Sequence, residues 1–254
     1  MTMTKLISLN TWGGRVAEPL NEFVRTHRTS ADIFCFQEMH TSGSKEAVTS
    51  VGERPDFFEE LEKLLPEFTG IFSEQVPGTG LATFVRKTIE VESIESHLML
   101  SSEELDHLRM NDGVRYYPRI TQVVRLKDPR VAIFNFHGMP GSDKRDTPER
   151  DIQMARLHEV LDRHDGEKIL VGDFNLRPDT KAIYGIEEKM RNLVIEGGFT
   201  TTRTALYEKK GIMPFADYAF VSQGIDVDKF EVLQDEISDH SPLYLEFKIA
   251  GQKS

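Results

Sequence analysis

The sequence contains very little cysteine and tryptophan. Its 254 residues include one cysteine, Cys35, and one tryptophan, Trp12. A single cysteine excludes both an intramolecular disulfide framework and a cysteine-rich zinc site. It also favours a reducing compartment.

Long hydrophobic runs are missing as well. No stretch approaches the roughly 20 apolar residues that a helix needs to cross a bilayer. The N-terminal residues MTMTKLISLN lead into a strand-like segment without the apolar region and cleavage site of a signal peptide. We therefore expect a cytoplasmic protein without stable membrane insertion, with a signal peptide already removed as the alternative.

Positive charge is in deficit. The chain has 31 lysines and arginines against 42 aspartates and glutamates, which gives a formal net charge of −11. A field of this sign repels polyanions, so a nucleic acid or a phosphorylated substrate would need a local site or bound metal ions. The charge therefore argues against a passive DNA-coating role.

Short β-branched and aromatic runs are abundant, and they predict strands. These strands are predicted at residues 5–10, 32–37, 80–86, 89–97, 114–126, 131–137, 168–171, 217–221, 227–233 and 242–249. Apolar residues at helical spacing predict helices at residues 17–27, 56–65, 148–164 and 181–196. The third helix has the clearest start, with Thr147 as its N-cap and Pro148 at its first position.

The order of these elements predicts the class of fold. Runs of consecutive strands mixed with strand–helix–strand units favour an α/β or α+β layered sandwich over a purely parallel sheet. Glycine and proline cluster only in short loops, so we expect a single domain over residues 1–254. Polar stretches at 41–55, 101–113 and 206–214 are expected to be irregular and mobile.

Polar residues capable of chemistry stand at the ends of several apolar strands. One carboxylate in such a place is usually a solvated turn residue, but five such positions favour a functional site. They are Asn10, Glu38, His137, the pair Asp173 and Asn175, and the pair Asp239 and His240 just before the last strand. Oxygen ligands with one or two imidazoles suit Mg²⁺ or Mn²⁺ better than zinc.

These motifs occur in a familiar order. They are LNTWG at 9–13, CFQE at 35–38, NFH at 135–137, GDFN at 172–175, DYAFV at 217–221 and SDH at 238–240. Together they span nearly the whole chain, which resembles the endonuclease/exonuclease/phosphatase (DNase I-like) superfamily. The resemblance implies a four-layer α/β/β/α sandwich of two packed mixed sheets flanked by helices. It also implies metal-dependent hydrolysis of phosphate esters at one rim of the sandwich.

The resemblance further implies a metal site. Glu38 matches the principal ligand of a divalent ion, Mg²⁺ or Mn²⁺, and Asn10 and Asp239 are expected close to the same ion. Such an ion would polarise a phosphoryl oxygen and stabilise charge in the transition state.

Five further residues receive catalytic roles from the resemblance. Asp173 is expected to activate or orient the attacking water, and Asn175 to position the nucleophile and the phosphate. His240 is expected to contact the scissile phosphate, with Asp217 orienting that imidazole and favouring its charged form. His137 would stabilise charge on phosphorus oxygens or help to protonate the leaving oxygen.

The substrate stays open at this stage. The histidine of NFH disfavours the abasic-site endonucleases, and the piece LNTWG is reminiscent of sphingomyelinases. We rank a nucleic-acid phosphodiesterase first and a phosphatase or phospholipase C-like esterase for a small-molecule or lipid-headgroup phosphate second. A non-catalytic binding module with the same fold is the alternative from another class, although every residue type that the chemistry needs is present. No obligate protein partner is expected.

Several nearby residues are interpreted as structural. Trp12 is taken as a packing residue, and Arg15 and Lys144 as solvated loop residues. Arg119 lies on a strand where some relatives contact substrate, but we leave it outside the predicted site.

Overall fold

The computed structural model describes residues 3–42, 51–109, 117–141, 143–208 and 214–251. The strands in these ranges are β1 (Thr4–Asn10), β2 (Ile33–His40), β3 (Phe68–Val76), β4 (Thr79–Arg86), β5 (Val91–Leu100), β6 (Arg119–Leu126), β7 (Val131–His137), β8 (Glu167–Asp173), β9 (Arg191–Asn192), β10 (Asp217–Val221), β11 (Ile225–Val232) and β12 (Leu243–Ile249). The helices are α1 (Ala17–His27), α2 (Phe57–Leu64), α3 (Ser102–Arg109), α4 (Pro148–Arg163), α5 (Lys181–Glu187) and α6 (Leu193–Glu196).

The strands form two sheets of six. The first has the order β11-β12-β1-β2-β4-β3 and the second has the order β5-β6-β7-β8-β10-β9. Each sheet contains one parallel pair, β1 with β2 and β7 with β8, among antiparallel neighbours. Parallel neighbours need a crossover connection, and α1 and α4 supply it. Both sheets are therefore mixed, as predicted.

Apolar side chains fill the three interfaces between four layers, which are helices, the first sheet, the second sheet and helices. Leu20 of α1 packs against the first sheet, and Leu157 of α4 packs against the second. Between the sheets lie buried residues of both, including Ile33, Ile133 and Val171. The predicted four-layer α/β/β/α sandwich is confirmed.

A buried polar contact joins the two sheets close to the ends of their strands. Gln37 Nε2 donates to Asn135 Oδ1 at 2.7 Å, and Asn135 Nδ2 donates to the backbone oxygens of Phe36 at 3.2 Å and Ala82 at 3.1 Å. Buried polar groups carry a desolvation cost unless they are paired, so these bonds favour one alignment of the sheets. That alignment sets the end of β2 opposite the end of β7.

Helix α4 begins as predicted, and another predicted helix is broken. The Thr147 side chain accepts a hydrogen bond from Arg150 N at 3.3 Å. The predicted helix 181–196 is wrong as a single element, because α5 ends at Glu187 and β9 pairs with β10 before α6 begins. Asn192 caps α6 by accepting a bond from Ile195 N at 3.4 Å. Apolar spacing continues across the break, so periodicity alone does not reveal it.

Besides β9, two further elements were not predicted. Strand β3 is half-exposed along much of its length and therefore lacks a continuous apolar run. Helix α3 lies inside the stretch 101–113 that was expected to be irregular. It starts with a capping box in which Glu104 N donates to Ser101 Oγ at 3.2 Å and Ser101 N donates to Glu104 Oε2 at 2.8 Å.

Parts of three predicted stretches lie outside the described residues, namely 43–50, 110–116 and 209–213. The start of the strand predicted at 114–126 is among them. In the ranges that the structure describes, no helix is both long enough and apolar enough to cross a membrane. The single domain over 1–254 stays a prediction.

Candidate active site

Side chains from the ends of strands in both sheets meet at one rim of the sandwich. Asn10 Nδ2, at the end of β1, donates to Glu38 Oε1 at 3.1 Å and to Asp173 Oδ2 at 2.9 Å. His137 Nε2, at the end of β7, lies 3.7 Å from the same Asp173 oxygen. The rim therefore brings together residues that are more than a hundred positions apart in sequence.

Glu38 reaches the rim through an irregularity in β2. The register between β2 and β4 shifts between Phe36 and Met39, as in a β-bulge. Glu38 itself has a φ of 56°, a left-handed conformation that costs an L-residue on the order of 1 kcal/mol. A bulge re-aims a side chain that regular alternation would place elsewhere. This local distortion accordingly turns the Glu38 carboxylate towards Asn10.

Asp173 is held by donors on both of its oxygens. Oδ1 accepts a bond from Asn175 N at 2.8 Å, and Oδ2 accepts bonds from Asn175 Nδ2 at 3.1 Å and from Asn10 Nδ2. The preceding Gly172 has a φ of 137°, and a Cβ at that position would lie 2.0 Å from the Phe136 oxygen. Glycine is therefore required for β8 to bring Asp173 this close to β7.

His240 is bound to Asp217 on one side and faces carboxylates on the other. Its Nδ1 lies 2.8 Å and 2.9 Å from the two Asp217 oxygens, so the ring donates to them from Nδ1. Its Nε2 lies 3.7 Å from Asp173 Oδ2 and 3.8 Å from Asp239 Oδ1. Burial lowers the pKa of His240 and raises the pKa of Asp217, because each charged form loses hydration. Burial thus opposes the charged imidazole that Asp217 was expected to favour.

His137 has a different neighbour. Its Nδ1 lies 3.4 Å from Arg119 Nη1, and its Nε2 lies 3.9 Å from Glu38 Oε1. Burial and, after it, the positive charge of Arg119 lower the pKa of His137 well below its ordinary value. Burial and the guanidinium therefore both oppose the charged form of His137, whose Nε2 lies near two carboxylates, Glu38 and Asp173.

All eight predicted site residues belong to this connected cluster, and their roles stay predictions. The cluster also contains residues that the sequence analysis missed. Arg203 Nη1 donates to Asp239 Oδ2 at 2.7 Å. The centre of the Tyr207 ring lies 4.4 Å from the guanidinium carbon of Arg203 and 5.0 Å from the Lys144 ammonium. Among the described residues, the buried Tyr207 hydroxyl has no hydrogen-bond partner.

The sequence carried little signal for these residues. Arg203 and Tyr207 follow no strand, and Tyr207 lies in the stretch 206–214 that was expected to be irregular. Lys144 was taken as a solvated loop residue, yet it is 3% exposed and its Nζ donates to the Phe215 oxygen at 2.7 Å; that interpretation is wrong. Arg119 is 7% exposed and contacts His137, so it belongs to the site from which it was left out.

The donor set at the rim fits a hard divalent cation. Loss of hydration raises the pKa of Glu38 to about 7, with contributions from the charges of Asp239 and Asp173, although 35% of its side chain is still accessible. Asp239 Oδ1 is buried and has no hydrogen-bond partner among the described residues. Asn10 Oδ1 accepts a bond from Trp12 N at 3.0 Å and keeps one lone pair. A bound cation would compensate these carboxylates, and oxygen donors suit Mg²⁺ or Mn²⁺.

Comparisons with known proteins agree with this fold. The model of the endonuclease/exonuclease/phosphatase family matches residues 7–240, and the chain belongs to this family. No curated protein sequence gives a significant match.

Solved structures share the fold at low sequence identity. An endonuclease/exonuclease/phosphatase from Bacteroides vulgatus is similar with a TM-score of 0.70 and 17% identity, over 98% of this chain and 100% of that one. A mannosyl-6-phosphatase from Bacteroides thetaiotaomicron has a TM-score of 0.66 and 17% identity, over 96% and 99% of the two chains. TDP2 from C. elegans has a TM-score of 0.69 and 17% identity, over 97% of this chain and 75% of that one.

Proposed function

We propose that the protein is a divalent-metal-dependent phosphoric ester hydrolase, with a phosphodiester as its preferred substrate class. The observation that carries the proposal is the cluster in which Glu38, Asp173 and His240 meet at one rim. Beside them, Asp239 has a buried oxygen, Oδ1, with no hydrogen-bond partner among the described residues. Membership of the endonuclease/exonuclease/phosphatase family supports it.

The metal would be held by Glu38 and Asp239, with Asn10 beside them. When bound, Mg²⁺ or Mn²⁺ neutralises charge on the phosphoryl oxygens. Arg203 orients Asp239 through its bond at 2.7 Å and keeps the second carboxylate oxygen directed into the site.

Asp173 orients the attacking water in this proposal. Its Oδ2 is 3.7 Å from both His137 Nε2 and His240 Nε2, which leaves the carboxylate close to both imidazoles without a direct bond to either. Asn10 and Asn175 hold the carboxylate in place, so that Asp173 is available to accept a proton from water as the new oxygen–phosphorus bond forms. The bond from phosphorus to the leaving oxygen breaks in the same displacement, and that oxygen departs with the electron pair. His240 contacts the phosphate, with Asp217 fixing its ring.

A phosphomonoester is the second candidate. The buried positive groups Arg119, Arg203 and Lys144 are suited to the extra negative charge of a terminal phosphate. TDP2 and the mannosyl-6-phosphatase share the fold, and their likeness does not decide between the two classes. A cytoplasmic location and the lack of an obligate protein partner stay predictions.

The test is hydrolysis of bis-p-nitrophenyl phosphate and p-nitrophenyl phosphate by purified protein with Mg²⁺, Mn²⁺ or EDTA. We expect metal-dependent turnover of the diester that Asp173→Asn reduces at least about a hundredfold. Preference for the monoester would move the phosphatase to first place. No turnover of either compound, with a folded protein and metal present, would contradict the proposal and favour a binding module.

A further inference from the structure

The two imidazoles of the site have opposite neighbours at Nδ1. His240 Nδ1 meets the Asp217 carboxylate at 2.8 Å, whereas His137 Nδ1 meets Arg119 Nη1 at 3.4 Å. A guanidinium has only N–H donors and cannot accept a hydrogen bond. His137 Nδ1 must therefore be the acceptor in this contact, which leaves the ring proton on Nε2.

We propose that Arg119 is a positioning residue that fixes His137 as the Nε2–H tautomer, so that His137 donates a hydrogen bond to a phosphoryl oxygen. The inference rests on the proposed function for the identity of that oxygen. It narrows the role of His137, because a neutral ring with its proton on Nε2 neither binds a metal through that atom nor supplies a proton to the leaving oxygen.

Burial makes the contact decisive. Arg119 is 7% exposed and His137 is 4% exposed, so little water is available to replace the guanidinium at Nδ1. The Nε2 side of the ring points towards carboxylate oxygens, 3.7 Å from Asp173 Oδ2 and 3.9 Å from Glu38 Oε1. A pre-oriented N–H at this place is suited to the charge that develops on phosphoryl oxygens during attack.

The fold contains a matched contact away from the rim. Arg125 Nη1 lies 3.0 Å from His164 Nδ1, and His164 Nε2 lies 3.9 Å from Glu95 Oε2. By the same reasoning, His164 is an Nε2–H tautomer, and we expect it to have no part in turnover. Arg125→Met is therefore the control for Arg119→Met, because it makes the same arginine-to-methionine substitution at an equivalent contact.

The test reads the tautomer directly by long-range proton–nitrogen NMR on protein labelled with ¹⁵N-histidine, with the His137 signals assigned by their loss in His137→Gln. We expect the Nε2–H pattern in the wild type and in Arg119→Lys, which keeps a cationic donor. Arg119→Met removes the donor at Nδ1, and we expect that nitrogen to carry a proton in part of the molecules. An unchanged Nε2–H pattern in Arg119→Met would overturn the role of Arg119. A wild-type ring with its proton on Nδ1, or with both nitrogens protonated, would overturn the proposal.

Kinetics on bis-p-nitrophenyl phosphate give the second readout. We expect Arg119→Met to lower kcat about tenfold with a smaller change in KM, and Arg125→Met to leave both unchanged. The double variant Arg119→Met/His137→Gln should have the same kcat as His137→Gln, because each of the two substitutions removes the same interaction, the hydrogen bond from His137 to the substrate. Additive losses would contradict the proposal. If the wild type has no turnover, the proposed function fails, and the NMR result still decides the tautomer.

Discussion

Among the described residues, two regions combine carboxylates and imidazoles whose ligand atoms lie close enough to share a metal ion, and the two regions differ in what surrounds them. The rim cluster includes Glu38, His137 and Asp173. The second cluster consists of Glu95 and His97 on β5 and His164 directly after α4, and we call it the β5 cluster. In each, one ligand atom from every residue lies within 4.8 Å of the others.

The carboxylates distinguish the two clusters. The Glu95 side chain of the β5 cluster is 40% exposed, and its Oε2 is 3.1 Å from His97 Nε2. The Asp173 side chain of the rim is 2% exposed, and Asp239 next to it keeps a buried oxygen without a hydrogen-bond partner among the described residues. A buried carboxylate oxygen without a hydrogen-bond partner favours a bound cation as its partner, whereas a solvated carboxylate is stabilised by water. Three residues of suitable type therefore do not define a metal site without their environment.

Removing an imidazole from each cluster should give the largest difference. We expect His240→Ala to lower turnover of bis-p-nitrophenyl phosphate at least about a hundredfold, the scale of a general acid or base, with little loss of folding. His164→Ala should leave turnover unchanged. Full activity in His240→Ala would remove that residue from the mechanism.

Replacing one carboxylate in each cluster should change the Mg²⁺ concentration needed for activity only when the carboxylate belongs to the rim cluster. We expect Glu38→Gln to raise the Mg²⁺ concentration needed for half-maximal activity at least about tenfold, since a neutral amide is a weaker ligand than a carboxylate. Glu95→Gln is the matched control and should leave the Mg²⁺ titration in place. An unchanged titration in Glu38→Gln would show that Glu38 is not a ligand.

The hydroxyl of Tyr207 tests how far the rim cluster extends. We expect Tyr207→Phe to lower turnover about tenfold, the scale of one hydrogen bond to a charged group, because the buried hydroxyl is then no longer available to a substrate oxygen. The ring keeps its contacts with Arg203 and Lys144, so the melting temperature should not change. Tyr184→Phe, at a side chain that is 55% exposed, serves as the control. Equal activity in both variants would exclude Tyr207 from the site.

The smallest effect concerns stability in the β5 cluster. Burial lowers the pKa of His164 below the ordinary histidine value, so the unfolded chain binds a proton more readily than the folded one. The contribution of His164 to the free energy of unfolding is therefore fully present above about pH 6.5, where the ring is neutral in both states, and is lost as the pH falls below that value. We expect His164→Gln to reduce this part of the pH dependence in urea unfolding. An identical dependence in wild type and variant would show that His164 is not held neutral.

Much of the fold could be predicted from local pattern. The start of α4 followed from Thr147 and Pro148, and the apolar runs of β1, β7 and β10 follow from burial on both faces. Strand β3 was missed because half-exposed strands lack such runs. The break between α5 and α6 was missed because the pairing of β9 with β10 is a contact distant in sequence, which helical periodicity does not reveal.

The sequence determined which strands end in carboxylates, amides and imidazoles, because each motif is local and its order along the chain is characteristic. Only the tertiary structure decided what each group faces. The same residue type, histidine, meets a carboxylate at position 240 and a guanidinium at positions 137 and 164. Tautomer, charge and metal affinity depend on those neighbours, and the neighbours are brought together by the packing of the two sheets.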